Sequence, residues 1–95
     1  MIESRESVRA AVAQARTRAN TVRDGIKNQG ARDWFQTRII HGLDDADGLL
    51  SIGSQEYAPW ITFAAAYADH AMRNLQAFER LAEQCGGADK VQMFG

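Results

Sequence analysis

The chain has 95 residues, of which 45% are hydrophobic and 24% are charged, and its formal net charge is −1. The length suits one domain, and the apolar share is typical of a globular protein and argues against intrinsic disorder. The near-neutral charge makes a dedicated nucleic-acid-binding protein a poor first hypothesis.

Two further features concern the compartment. A single cysteine, Cys85, excludes an internal disulfide and favours a reducing environment. The first ten residues do not have the basic-then-apolar order of a secretory signal, and the longest apolar run, residues 60–68, is too short to span a bilayer. We therefore expect a cytoplasmic protein.

Charge is distributed unevenly along the chain. Residues 1–40 contain eight Lys/Arg and four Asp/Glu, for a net charge of +4, whereas residues 41–95 contain three and eight, for −5. This division predicts a basic helix beside an acidic one, either within one chain or across a symmetric interface.

The first helix is predicted over residues 2–28, with Ser4 or Ser7 as its N-cap and Gly30 as its stop. Its apolar positions follow a 4-3-4-3-4 spacing, and they are Val8, Val12, Ala15, Ala19, Val22 and Ile26. Such a narrow stripe of small residues favours close packing against one or two helices. Arg9, Arg16 and Arg23 repeat every seven residues beside it.

The second helix is predicted over residues 32–52, ending at Gly53. Its main apolar face is formed by Phe35, Ile39, Leu43, Ala46 and Leu50. Gly42 and Gly48 each weaken a helix by about 1 kcal/mol relative to alanine. We therefore predict a kink near Gly42, with Asp44 capping the segment that follows.

The third helix is predicted over residues 57–85, with Pro59 in its first turn. A 3-4 alternation runs along its length through Ile61, Ala64, Ala68, Ala71, Leu75, Phe78, Ala82 and Cys85. A second apolar row, Trp60, Phe63, Tyr67 and Leu81, predicts that this helix packs against two neighbours. Residues 86–95 are predicted to form a short flexible tail.

Short connections between long helices predict an all-α fold, a slender antiparallel three-helix bundle that forms one domain. Such a bundle buries a modest core, so we expect a homo-oligomer, a dimer or higher.

The run Asp44, Asp45, Asp47 and Gly48 resembles a calcium loop only superficially. With Gly48 as the sixth position of an EF-hand loop, Leu43 and Ser54 occupy the first and twelfth, where a carboxylate is required. We interpret the run as an acidic helix shoulder that faces arginines of the first helix.

Other catalytic chemistry has little support in the sequence. His41 and His70 are the only histidines, and Cys85 lies at a helix C-terminus, where the dipole disfavours a thiolate. No glycine-rich phosphate loop is present. We therefore expect no catalytic residue, no resident metal and no cofactor.

The remaining hypotheses concern binding. The first is a non-enzymatic helical interaction module, a homo-oligomeric adaptor or a small inhibitor that occludes a larger protein, as accessory and phage-encoded proteins do. Its predicted recognition residues are Arg9, Arg16, Arg23, Trp34, Trp60, Met93 and Phe94. The alternative is a binder of nucleotides or other small anions at an arginine-lined site between subunits. A third hypothesis is a helical His/carboxylate metal-binding protein.

Overall fold

The computed structural model describes residues 4–52 and 58–93, and this part of the chain is helical, with no β-strand. Its elements are α1 (Arg5–Asp24), α2 (Gln29–Phe35), a π-helical turn (Gln36–Ile40), α3 (His41–Ser51), α4 (Ala58–Cys85) and a 3₁₀ turn (Ala88–Lys90). Because α2, the π turn and α3 follow one another directly, they form one long second helix. The predicted three-helix fold is confirmed, and the molecule measures 43 × 23 × 16 Å.

The ends of α1 are set by local hydrogen bonds. Ser4 is the N-cap and accepts the Ser7 N–H, and Ser7 Oγ in turn accepts the Ser4 N–H, which makes a capping box. At the other end the Gly25 N–H donates to the carbonyls of the last turn. The helix therefore ends before the predicted residue 28, although Ile26 in the connection remains buried.

The second helix begins at Gln29, because the Asn28 side chain accepts the Ala31 N–H as an N-cap. Gly30, predicted to stop the first helix, therefore lies inside α2. The predicted cap at Asp44 is wrong, because α3 runs through Gly42 without a break and Asp44 lies within the helix. The departure from α-helical geometry lies just before Gly42, in the π-helical turn Gln36–Ile40. A Cβ atom on Gly42 would lie 3.2 Å from the Ala71 Cβ, so this glycine permits close helix packing instead.

Contacts between the second helix and α4 fix their direction. Asn74 Nδ2 donates to the carbonyl oxygen of Arg38 at 3.3 Å, and Gly42 lies against Ala71. The residue number rises on one helix as it falls on the other, which is the pattern of an antiparallel pair. Arg18 of α1 meets Glu79 near the C-terminal end of α4, so these two helices run in the same direction.

The core lies along the shared axis of the three helices. The predicted positions Val8, Val12, Ala15 and Ala19 of α1 are buried, as are Phe35, Ile39, Leu43, Ala46 and Leu50 of the second helix. The Phe35 and Phe78 rings meet edge to face, with centroids 5.1 Å apart. Alanines 64, 68 and 71 of α4 are buried and let the facing helices approach closely.

The segment after α4 differs from the predicted flexible tail over the residues that the structure describes. Gly86 and Gly87 adopt positive φ and turn the chain back onto the bundle. Val91 is only 1% exposed, and the Met93 N–H donates to Asn28 Oδ1 at 3.0 Å. Burial of an apolar side chain and a main-chain hydrogen bond hold this segment in place.

Several apolar positions of α4 are more exposed than predicted. Phe63, Tyr67 and Leu81 are 53%, 47% and 36% exposed, and Cys85, predicted to be a core residue, is also exposed. The physical reason is the placement of the neighbours. Both other helices pack on the alanine-rich side of α4. The second apolar row is displaced by one residue, about 100° around the helix, so only its edge lies beside the second helix.

Candidate protein-interaction surface

The exposed apolar residues of α4 belong to a regular line, which we call the outer row. Its members are spaced 3-4-3-4-3-4-3 along the helix, and they are Trp60, Phe63, Tyr67, His70, Asn74, Ala77, Leu81 and Gln84. This is the heptad spacing of a coiled-coil seam. All of these side chains are exposed except those of Trp60 and Asn74, which are half-buried. The row thus gives α4 a second helical face that the other two helices leave largely exposed, with Tyr67 and Asn74 at its edge beside the second helix.

At one end the outer row joins apolar residues of the second helix. A groove of about 360 Å³ lies between α3 and α4, and Leu49, Ile52 and Tyr67 form its apolar lining. Ile52 is 51% exposed, and the Phe63 ring meets the Trp60 ring edge to face at a centroid distance of 6.3 Å. We call Leu49, Ile52, Trp60, Phe63 and Tyr67 the apolar patch. Its members are contiguous, unlike the isolated exposed apolar residues that are common on protein surfaces.

Acidic residues border this groove, and one of them is engaged by Arg16. The Arg16 guanidinium donates to Asp44 Oδ1 at 2.8 Å and to Asp47 Oδ2 at 2.6 Å. The hydrogen bond that Arg16 donates to Asp44 is the main cause that raises the pKa of Arg16, and Asp47 adds to it. The prediction of an acidic shoulder facing the first helix is therefore confirmed. Asp45 also lines the groove and is exposed.

A second ion pair joins the two halves of the chain. Arg18 Nε donates to Glu79 Oε2 at 2.9 Å, and a second donor of the same guanidinium meets Glu79 Oε1. This hydrogen bonding raises the pKa of Arg18. The uneven charge distribution is thus partly neutralised within one chain. Arg18 was not among the predicted site residues, because it lies outside the seven-residue repeat of Arg9, Arg16 and Arg23.

The repeated arginines do not form one continuous free surface. Arg16 is held by two carboxylates, Arg9 is exposed, and Arg23 is half-buried in the last turn of α1. A ligand on this row would have to compete with Asp44 and Asp47 for the central guanidinium.

The other predicted recognition residues are separated by the fold. Trp34 is half-buried and stacks on Phe78, with centroids 6.1 Å apart, and Met93 is half-buried beside Asn28. Both lie at the end of the bundle opposite to Trp60. Phe94 lies outside the described residues. Of the two predicted aromatics that the structure describes, Trp60 joins the exposed apolar residues near the N-terminal end of α4 and Trp34 does not.

The sequence prediction missed Phe63, Tyr67, Leu81 and Ile52 as surface residues. For Phe63, Tyr67 and Leu81 the available signal was side-chain size, because the row that contains them is bulkier than the alanine-rich row beside it. The spacing alone assigns these three to the core, because it does not separate the two rows.

Other site types find no support in the described part of the chain. No group of three or more His, Cys, Asp or Glu residues there could hold a metal ion. His41 and His70 are both exposed. None of the described helices is long and apolar enough to cross a membrane.

The described residues therefore include an extended apolar surface at the outer row of α4 and the adjoining groove. Comparison of the chain with protein-family models, with curated proteins and with solved structures finds no match.

Proposed function

We propose that this protein is a non-enzymatic helical interaction module that binds another protein chain through the apolar patch. It acts as a homo-oligomeric adaptor or as a small inhibitor that occludes a larger protein. The observation that carries the proposal is the contiguous exposure of Phe63, Tyr67 and Ile52, each about half accessible to water. The single cysteine supports a place in the reducing cytoplasm.

Energetics support this use of the patch. Full burial of a large apolar side chain contributes about 1.5–3 kcal/mol, so covering three half-exposed ones offers on the order of 3 kcal/mol. The patch also contains three aromatic side chains, Trp60, Phe63 and Tyr67, that a partner could use as anchors, and aromatic residues are enriched among the residues that dominate binding energy at interfaces. Asp45 at the rim supplies a charge that selects the partner's orientation.

The alternative function, binding of nucleotides or small anions by the arginine row, has weaker support. Arg16, the central arginine of the row, already donates to two carboxylates. The third hypothesis, a metal-binding protein, has no cluster of ligands in the described residues.

A photoreactive side chain tests the proposal even while the partner is unidentified. A benzoyl-phenylalanine replaces Phe63 in one variant and Gln14, an exposed residue of α1, in the control variant. We expect irradiation in the native host to give a covalent adduct at position 63 that does not form at position 14. The attached chain is then identified by mass spectrometry.

A covalent adduct alone does not establish specific binding. Binding between this protein and the identified chain is therefore measured with purified components. We expect saturable binding that Tyr67→Ala weakens about tenfold, which corresponds to 1.4 kcal/mol. The control variant Ala13→Glu alters an exposed position on α1 and should bind normally. Absence of any adduct specific to position 63, or equal binding by Tyr67→Ala, would overturn the proposed function.

A further inference from the structure

We infer that the outer row of α4 binds a second copy of the same chain, with the two α4 helices antiparallel around a two-fold axis at position 72. This inference rests on the proposed function, because it names the partner of the same surface. It follows from the order of side chains along the row.

Large side chains occupy one half of the outer row and smaller ones the other. Trp60, Phe63 and Tyr67 lie in the N-terminal half, whereas Ala77, Leu81 and Gln84 lie in the C-terminal half. A parallel pair of such rows would place aromatic against aromatic at one end and leave the other end thinly packed. An antiparallel pair places each large residue against a smaller one, and so gives layers of even thickness.

One antiparallel register pairs every member of the row with another member. The position numbers of each pair add up to 144, and the four pairs are Trp60 with Gln84, Phe63 with Leu81, Tyr67 with Ala77, and His70 with Asn74. Each pair occurs twice because the interface is symmetric. The register also matches the a-to-d pairing of antiparallel heptads and opposes the two helix dipoles.

The central layer is polar, and it favours one register. His70 is exposed, and Asn74 is half-buried while it donates to the Arg38 carbonyl. In the proposed dimer each His70 faces an Asn74 of the other copy, so the two polar side chains can hydrogen-bond. A shift of one heptad in either direction would place His70 against Leu81 or Tyr67 of the other copy, so the hydrogen bond between His70 and Asn74 would be lost.

Charge opposes the pairing only locally. Arg73 lies beside the row near the two-fold axis, so the two copies of Arg73 approach each other, and each is paired with Asp69 of its own helix at 3.1 Å. The chain as a whole carries a net charge of −1, so two copies repel each other weakly.

The contact is long enough for a stable association. From Trp60 to Gln84 the row spans about 36 Å at 1.5 Å per residue, and it covers more than three heptads. In this register Leu81 of the second copy lies opposite Phe63, next to the groove formed by Leu49, Ile52 and Tyr67. The apolar patch therefore gains a specific apolar occupant from the other copy.

The first test compares two alanine-to-glutamate variants by light scattering across a concentration series. Ala77 lies in the outer row and Ala13 lies on α1, and both are exposed in their helices. We expect the wild-type chain and Ala13→Glu to have twice the mass of one chain. Ala77→Glu, which buries an unpaired charge against Tyr67, should weaken dimerisation on the order of 100-fold with unchanged helicity by circular dichroism.

The second test determines the register in a Cys85→Ser background. His70→Cys and Asn74→Cys chains are oxidised separately and as a mixture, and the products are identified by mass. In the proposed register cysteines 70 and 74 face each other, so the mixed disulfide should form several-fold faster than either symmetric one. Equal or faster formation of the symmetric 70–70 disulfide would overturn the antiparallel register.

Two results would overturn self-pairing altogether: a wild-type chain that stays monomeric, or an Ala77→Glu variant that remains dimeric. These failures are distinguishable from failure of the proposed function. A monomeric chain whose position 63 captures a different protein, with binding that Tyr67→Ala weakens, refutes the dimer and retains the interaction module. A monomeric chain that captures nothing refutes both.

Discussion

The side-chain oxygen of Asn28 accepts the main-chain N–H of Met93 at 3.0 Å, which ties the C-terminal segment to the start of the second helix. The same oxygen accepts the Ala31 N–H at 2.9 Å as an N-cap. One amide side chain therefore serves both a local and a long-range contact.

Replacement of Asn28 by alanine should remove both hydrogen bonds. We expect the free energy of unfolding to fall by about 1–2 kcal/mol, in the range of a lost N-cap and a lost long-range hydrogen bond. Urea denaturation measures this change. Asn28→Asp keeps an acceptor oxygen and should lose much less stability; a loss as large as that of alanine would contradict the role of the oxygen.

Two glycines of the second helix should respond in opposite ways to alanine. A Cβ atom on Gly30 would lie 1.9 Å from the Met93 carbonyl oxygen, whereas one on Gly48 would have no neighbour within 4 Å. Gly48→Ala should therefore stabilise the protein by up to about 1 kcal/mol through helix propensity. Gly30→Ala should force the C-terminal segment to move and lower the melting temperature.

Amide hydrogen exchange adds a local measurement to this comparison. We expect the Met93 amide to exchange faster in Gly30→Ala than in the wild type. In Gly48→Ala, exchange of the Met93 amide should be no faster than in the wild type. Stabilisation by both substitutions would show that the close approach at Gly30 is absent in solution.

The burial of Val91 gives a direct test of the ordered C-terminal segment. Val91 is 1% exposed, whereas the adjacent Gln92 is exposed. Val91→Ala should lower the free energy of unfolding by on the order of 2 kcal/mol, because it removes buried methyl groups and leaves a cavity. Gln92→Ala should change it by less than about 0.5 kcal/mol. If Val91→Ala and Gln92→Ala both had negligible effects in thermal denaturation, the result would support the predicted flexible tail instead.

The ion pairs of Arg16 should contribute modestly to stability and depend on salt. Arg16→Ala should cost about 0.5–1 kcal/mol, since the guanidinium and both carboxylates are partly exposed. High salt should reduce the difference from the wild type. Arg9→Ala is the matched control, because Arg9 forms no ion pair with the described residues. A cost for Arg9→Ala equal to that for Arg16→Ala would contradict the assignment.

The helices and most of the core follow from local patterns in the sequence. The period of Val8, Val12, Ala15 and Ala19 predicted the buried side of α1, and Ser4 marked its start. These features are local, since a cap involves residues three apart and a helical face repeats within two turns. The pairing of the acidic shoulder with the first helix was also predictable, because opposite charges on neighbouring helices attract.

The roles of the glycines required the tertiary structure. Gly30 and Gly42 have the same local propensity to weaken a helix. From that propensity we predicted that the first helix stops at Gly30 and that the second is kinked near Gly42. The structure places Met93 against Gly30 and Ala71 against Gly42, more than 25 residues away in the chain. Contacts over that separation depend on how the helices pack, and propensity contains no information about them.

The sequence by itself determined that α4 has two apolar rows with the same helical period. Only the tertiary structure decided that the row containing Ala64, Ala68 and Ala71 is buried and that Phe63 and Tyr67 are left in water. The reason is steric: two neighbouring helices approach most closely where the side chains between them are small. The bulky row is therefore turned outward, where the candidate interaction surface lies.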